Sequence, residues 1–142
     1  ASSIDRAQIA AQSDAITSLE RVLTGVLDIE TGERGFILVG SEAYLDPYKA
    51  AILNLSENLA TATKAWEDSG RSPESLAPLL GLVDRKLAFA TRVVDVRRQG
   101  FEPAAALVAS GEGKALMDAL RAEVGRLQGE AAERRQALQR GD

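Results

Sequence analysis

The fold of this chain is decided by the segment Asp28-Ile-Glu-Thr-Gly-Glu-Arg-Gly-Phe-Ile-Leu-Val-Gly40. Before it, apolar residues recur in alternating steps of three and four, the spacing of one helix face; they are Ile16, Leu19, Leu23 and Val26. The same count continues onto Glu30, Glu33 and Ile37, so carboxyl groups fall on the apolar seam. Polar residues on a seam predict a polar interaction or a close approach inside a helical bundle.

The end of the first helix has two interpretations. If the helix ended near Gly32, the residues after it would form a loop, but Phe36 to Val39 are too apolar for a solvated loop. Gly40 followed by Ser41 supplies a helix stop and a new cap. We therefore predict a first helix over about residues 4–39, capped by Ser3.

The composition favours one domain, residues 1–142, with an aliphatic core, because 45% of the 142 residues are hydrophobic and only 4% are aromatic. The chain has no cysteine and no histidine, which removes thiolate chemistry and the commonest general base and metal ligand. We predict no catalytic residue, no metal site and no cofactor. The net charge is -4 and the sequence has no cluster of basic residues, so we expect no nucleic-acid partner.

Membrane attachment is not visible in the sequence itself. Its longest apolar run is far shorter than the ~18 residues of a membrane span, and it has no signal-peptide pattern. The chain begins at Ala1 without a methionine. We expect a processed or excised fragment, which can have lost its membrane anchors.

Helical spacing continues through the middle of the chain. A second helix is predicted over about residues 47–68, opened by Pro47, and a third over about residues 73–98, opened by Pro73 after a Ser72 cap. The predicted seam of the second is Tyr48, Ile52, Leu55, Leu59, Ala62 and Trp66, and that of the third is Leu76, Leu80, Val83, Leu87, Ala90 and Val94.

The last third of the chain predicts a short helix over about residues 103–110 and a fourth long helix over about residues 112–140. Short connections return each helix alongside its predecessor, so we predict an all-α, antiparallel up-down-up-down four-helix bundle. The first and last helices are long, and the short extra helix lies between the third and fourth. Both termini then leave one end, and residues 40–46 and 99–113 form the opposite, distal end.

The distal end contains the candidate site. Arg34 lies about as many residues before the end of the first helix as Asp118 lies after the start of the fourth helix. The same count puts Glu30 level with Arg121. We predict Arg34–Asp118 and Glu30–Arg121 pairs between the helices, with Lys114 and Glu33 close by. The alternative is a solvated helix face on which Lys114, Asp118 and Arg121 pair among themselves.

A second hypothesis for the distal end is a small anion-binding pocket. Arg34 and Lys114 would supply the charge, and Tyr44, Tyr48 and Phe101 would line the walls. Packing of the corner is the alternative explanation for these aromatic residues. The segment Gly111-Glu-Gly-Lys114 lacks the spacing of a phosphate-binding loop, so no nucleotide site is expected there.

Three separated segments carry a family resemblance: Glu30-Thr-Gly-Glu-Arg-Gly-Phe-Ile-Leu-Val-Gly40, Glu42-Ala-Tyr-Leu-Asp-Pro-Tyr48 and Ser110-Gly-Glu-Gly-Lys-Ala-Leu-Met-Asp-Ala-Leu-Arg121. In this order they resemble the signature segments of the third type of CHASE domain, over roughly residues 16–138. Phe36 stands where a tyrosine is frequent in the family. The resemblance implies an extracytoplasmic helical sensor between two transmembrane helices, in front of a histidine kinase, a diguanylate cyclase or a chemoreceptor-type region. It implies no agreed ligand or binding residues.

We therefore expect a non-enzymatic, homodimeric sensory domain of a bacterial receptor, such as a sensor histidine kinase, on the periplasmic side of the inner membrane. The signal would be an unknown small molecule or protein. The alternative is a protein-interaction or dimerisation module with no small-molecule ligand. A lipid-binding bundle is disfavoured by the lack of a basic amphipathic face. An enzyme is disfavoured by the lack of a nucleophile or metal set.

Overall fold

The computed structural model describes residues 2–141, and within them the chain is all-α. The domain limits predicted at Ala1 and Asp142 lie outside the described residues. The helices are α1 (Ser3–Val39), α2 (Asp46–Asp68), α3 (Ala77–Arg97), α4 (Phe101–Ala109) and α5 (Glu112–Arg140). Two 3-10 turns, Glu42–Leu45 and Pro73–Leu76, lead into α2 and α3.

α1 is a continuous helix of 37 residues. Its cap is Ser2, not Ser3 as predicted, because Ser2 Oγ accepts a hydrogen bond from Asp5 N–H and the Asp5 carboxylate accepts one from Ser2 N–H. Gly40 ends the helix in the left-handed conformation, with φ of 76°, and its N–H donates to Phe36 O at 2.7 Å. Gly32 does not interrupt the helix.

Contacts along α1 give the directions of its neighbours. Gly25 lies against Leu55 and Gly32 against Tyr48, so α2 runs antiparallel to α1. Glu30 pairs with Lys86, and Arg97 Nε donates to Ile37 O at 2.6 Å, so α3 runs parallel to it. α1 packs against α2, α3 and α5, which makes it the central helix.

α2 and α3 are joined through a side chain. The Tyr48 hydroxyl and the Thr91 hydroxyl lie 3.3 Å apart, which links the two helices near the distal end. At the other end, Trp66 Nε1 donates to Ser75 Oγ at 2.6 Å, and the Arg71 guanidinium lies 4.7 Å from the Trp66 ring. These side-chain contacts link the two helices, whereas the backbone of α3 packs against α1, α4 and α5.

The buried face of α3 differs from the predicted seam at two positions, whereas Leu76, Val83, Ala90 and Val94 are buried as predicted. Leu80 is 37% exposed and Leu87 is only partly buried, whereas Leu79, Lys86 and Val93 are buried. The helix is rotated relative to the prediction because α1 and α5 contact it from two sides. The rotation brings Lys86 into the interior.

Candidate functional site

A cavity of about 420 Å³ opens at the distal end between α1, α3, α4 and α5. Its apolar walls include Ile37, Phe89, Val108 and Met117. Charged side chains of both signs also line it: Arg34, Lys86, Lys114 and Arg121, with Glu30, Glu33 and Asp118. The cavity therefore joins the carboxyl residues of the α1 seam to the charged start of α5.

Lys86 is the innermost cation, at 2% exposure. Its Nζ donates to Glu30 Oε2 at 2.8 Å and to Gly113 O at 3.3 Å. Arg34 reaches the other oxygen of Glu30, with Nη2 and Oε1 2.9 Å apart. The Glu30 carboxylate therefore forms ion pairs with two cations, the buried Lys86 and the exposed Arg34.

Gly113 allows the close approach of α3 and α5. A Cβ atom at this position would lie 2.7 Å from Phe89 Cε2 and 3.2 Å from Lys86 Nζ. Any larger residue would displace the aromatic ring, the lysine or α5 itself. The glycine at the start of α5 thus keeps room for the buried ion pair.

Glu33 is the buried carboxyl residue of the cavity, at 3% exposure. Within residues 2–141 it makes no hydrogen bond or ion pair. Burial away from water raises the pKa of Glu33 to about 7, against the opposing attraction of Lys86. Glu30 raises this pKa further and Arg34 lowers it. Glu33 can therefore exchange a proton near neutral pH.

The predicted Arg34–Asp118 and Glu30–Arg121 pairs are not formed within the described part of the chain. Arg34 pairs with Glu30 one turn before it, and Asp118 pairs with Lys114 and Arg121 at 2.8 and 3.8 Å. Intrahelical i,i+3 and i,i+4 neighbours are already within reach, so these exposed side chains need not cross the cavity. The structure nevertheless places all five residues around the cavity.

The predicted anion-binding pocket is divided in the structure. Arg34 and Lys114 line the cavity, but Tyr44 is exposed beside a different groove and Tyr48 is buried between α1 and α3. Phe101 lines a shallow apolar groove of about 350 Å³, which it shares with Arg34 but not with Lys114. Tyr44 is in the 3-10 turn and Tyr48 is in the first turn of α2, and neither lines the cavity.

Sequence reasoning missed Lys86. The predicted α3 seam passed through Val83 and Leu87, which left Lys86 on a polar face. An alternative seam through Leu79, Val83, Lys86, Ala90 and Val93 has the same alternating spacing and a single charged member. A lone lysine on such a seam, with carboxyl residues on the α1 seam, was the available signal.

Among residues 2–141, no group of three or more carboxylates is arranged to hold a metal ion. No helix of this part of the chain is both long and apolar enough to cross a bilayer.

Comparison with known proteins identifies the family. The family model described as the CHASE3 domain matches residues 5–141. No curated protein and no solved structure matches the chain. The match covers almost the entire sequence, including the three segments on which the resemblance was based. The chain therefore belongs to the CHASE3 domain family, a family of extracellular, non-catalytic sensory domains of receptors.

Proposed function

We propose that this chain is the periplasmic input domain of a bacterial sensor histidine kinase, anchored in the inner membrane by a helix on each side. The observation that carries the proposal is the proximity of the two chain ends. Gln128 Nε2 donates to Ile16 O at 3.1 Å, and an Arg135 nitrogen donates to Ser13 Oγ at 3.3 Å. A domain inserted between two membrane spans requires this geometry.

The helix arrangement that fits this role is the up-down-up-down four-helix bundle, with α4 as an extra helix at the distal end. The antiparallel pairing of α1 with α2 and with α5, and the parallel pairing of α1 with α3, support it. In this arrangement α1 and α5 continue towards the membrane, and the cavity lies far from it.

The signal would pass as a shift, tilt or rotation of α5 relative to α1. A stimulus changes the arrangement only if it binds one state more tightly, and coupling free energies of ~1–3 kcal/mol are typical. The cavity is a suitable control point because Glu30 and Glu33 of α1 face Lys114 and Asp118 of α5 across it. A ligand bound there would contact both helices.

Homodimerisation belongs to the same proposal. The first turns of α1 remain exposed, with Ile4 at the surface, and burial begins with Gln12 and Ala15. These turns extend beyond the packed part of the bundle. They would form a juxtamembrane stalk or a contact with a second copy.

The test is a chimeric receptor in which this domain replaces the periplasmic domain of a two-span histidine kinase. Inserting one, two, three or four residues after Arg140 should alter kinase activity with the helical period of ~3.6 residues. An insertion of seven residues after Arg140, close to two full helical turns, should restore the original activity. Kinase activity that does not depend on the insertions after Arg140 would refute signal transmission through α5.

The apolar groove favours the alternative function, a protein-interaction module. Leu38, Phe101 and Val108 are exposed around it, and Leu38 is 75% exposed. A partner helix would cover this surface. Light scattering over a dilution series, with Leu38→Ser as the variant, distinguishes self-association through this groove from association through the first turns of α1.

A further inference from the structure

Glu33 is the carboxyl residue of the distal cavity that receives neither a hydrogen bond nor an ion pair from residues 2–141. Glu33 lines the cavity and is almost fully buried, yet within residues 2–141 nothing donates to its carboxyl group. No fully buried side-chain oxygen of the described residues lacks a hydrogen-bond partner, so the carboxyl oxygens of Glu33 are open to the cavity. A ligand in the cavity can therefore supply the hydrogen-bond donor that Glu33 lacks.

The remaining charges of the cavity carry an excess of cations. The carboxylate of Glu30 neutralises one of the two positive charges of its partners, Arg34 and Lys86. The carboxylate of Asp118 likewise neutralises one of the two positive charges of Lys114 and Arg121. Each set therefore keeps one positive charge. The side chains of Arg34 and Lys114 are 69% and 81% exposed, so positive charge lies at the mouth and Glu33 lies inside.

The walls between these groups are apolar. Ile37, Phe89 and Met117 line the cavity together with Val108. Its volume of about 420 Å³ is within the ~300–1,000 Å³ usual for small-molecule sites. The cavity therefore accommodates a small ligand with a hydrocarbon body.

We infer that the cavity binds a small amino-acid-like zwitterion with an apolar side chain. Its ammonium group would donate to Glu33, its carboxylate would accept from Arg34 and Lys114, and its side chain would contact Phe89 and Met117. This inference rests on the proposed sensory function and names the ligand class of its site. A simple carboxylate would be repelled by ionised Glu33 and would accept only one hydrogen bond from its protonated form. A simple amine would leave Arg34 and Lys114 without an anion.

The direct test is titration calorimetry of this chain with three ligands that share one hydrocarbon body. They are L-leucine, 4-methylpentanoate, which lacks the ammonium group, and 3-methylbutylamine, which lacks the carboxylate. We expect leucine to bind at least ~10-fold more tightly than either analogue, since 4-methylpentanoate loses the hydrogen bond to Glu33 and 3-methylbutylamine loses those from Arg34 and Lys114. Equal binding of either analogue would overturn the inference, as would no leucine binding at about 10 mM.

Proton release gives a second measurement at the same site. An ammonium group favours the ionised form of Glu33, so leucine binding near pH 6.5 should release protons, and the measured heat should change with the ionisation enthalpy of the buffer. Proton uptake or no exchange would contradict an ammonium group on Glu33. The other charged groups facing Glu33 are Glu30 and Arg34 from α1, Lys86 from α3, and Lys114, Asp118 and Arg121 from α5.

Substitutions test which residue contacts each charged group of the ligand. Glu33→Gln should weaken leucine binding by ~10- to 100-fold and remove the proton release, and the exposed Glu57→Gln should do neither. Lys114→Ala should weaken leucine but not 3-methylbutylamine. Unchanged leucine affinity in a folded Glu33→Gln protein would refute the assignment. A chimeric receptor that still responds to insertions after Arg140 would then preserve the sensory function and reject only this ligand class.

Discussion

Lys86 of α3 and Glu30 of α1 form a buried ion pair, with Nζ and Oε2 2.8 Å apart and the lysine side chain 3% exposed. The pair fixes α3 against α1 at the level of the cavity. Buried ion pairs contribute little net stability compared with apolar replacements, but loss of one partner leaves an uncompensated charge. The pair is therefore the element of the site that is most sensitive to single substitution.

We predict that Lys86→Met lowers the free energy of unfolding by ~3 kcal/mol, because Glu30 keeps only its surface partner Arg34. The Lys86→Met, Glu30→Gln double variant should recover part of this loss. Lys64→Met breaks an exposed pair with Asp68 and should change stability by less than ~1 kcal/mol. Urea denaturation measures all three. Equal effects of the two lysine substitutions would contradict a buried pair.

Glu33 predicts an unusual dependence of stability on pH. The unfolded residue ionises near 4.5, but burial holds the proton in the folded state up to about 7. Between these values the folded state binds more protons, so this residue makes the free energy of unfolding fall as pH rises. Glu33→Gln should match wild type near pH 4 and exceed it by ~3 kcal/mol above pH 7.

Urea denaturation of both proteins at pH 4 and pH 8 checks this prediction. The difference between the two proteins isolates Glu33 from the other carboxyl groups, such as Glu42, whose pKa is lowered by its hydrogen bond from Arg98. A difference that is the same at both pH values would show that Glu33 does not titrate between them.

Two glycines of α1 provide a matched pair of substitutions. A Cβ atom at Gly32 would lie 2.7 Å from the backbone nitrogen of Tyr48, so Gly32→Ala should force α1 and α2 apart and cost ~1–3 kcal/mol. At Gly35 nothing lies within 4 Å, so Gly35→Ala should stabilise the helix by up to ~1 kcal/mol. Thermal melting of both variants tests the contact. Shifts in the same direction would contradict it.

Double-mutant cycles distinguish ion pairs within one helix from ion pairs between helices at the cavity mouth. Lys114 and Asp118 should show a coupling free energy of ~0.3–0.5 kcal/mol, as exposed i,i+4 pairs do. Arg34 and Asp118 should show a coupling near zero, because each pairs within its own helix. A coupling above ~1 kcal/mol for Arg34 and Asp118 would restore the pair predicted between the helices.

Local features of the fold were predictable from sequence. Gly40 ends α1 as its position before Ser41 indicated, and the α5 residues Met117, Leu120 and Val124 are buried as their spacing indicated. These features depend on neighbours along the chain. Ser2 replaced Ser3 as the cap because only Ser2 stands three residues before an acidic residue that completes the capping box.

The interior of the site was less predictable, because it depends on how helices rotate against each other. The carboxyl residues Glu30 and Glu33 were visible on the α1 seam, but their environments differ for reasons that lie in α3. The rotation of α3 turns Lys86 inwards, where it pairs with Glu30, and no residue of the described range 2–141 donates to Glu33. Neither the Lys86–Glu30 pair nor the environment of Glu33 can be predicted from the residue spacing of a single helix.

The central claim is that binding in the distal cavity moves α5 relative to α1 at the opposite end. Because the chain has no cysteine, Arg6→Cys and Gln139→Cys provide two unique sites for spin labels at exposed positions near the chain ends. The decisive measurement is the distance between these labels with and without saturating leucine. Our account predicts a change of ~1–2 Å or more that disappears in Glu33→Gln. An unchanged distance in a protein shown by calorimetry to be fully bound would contradict it.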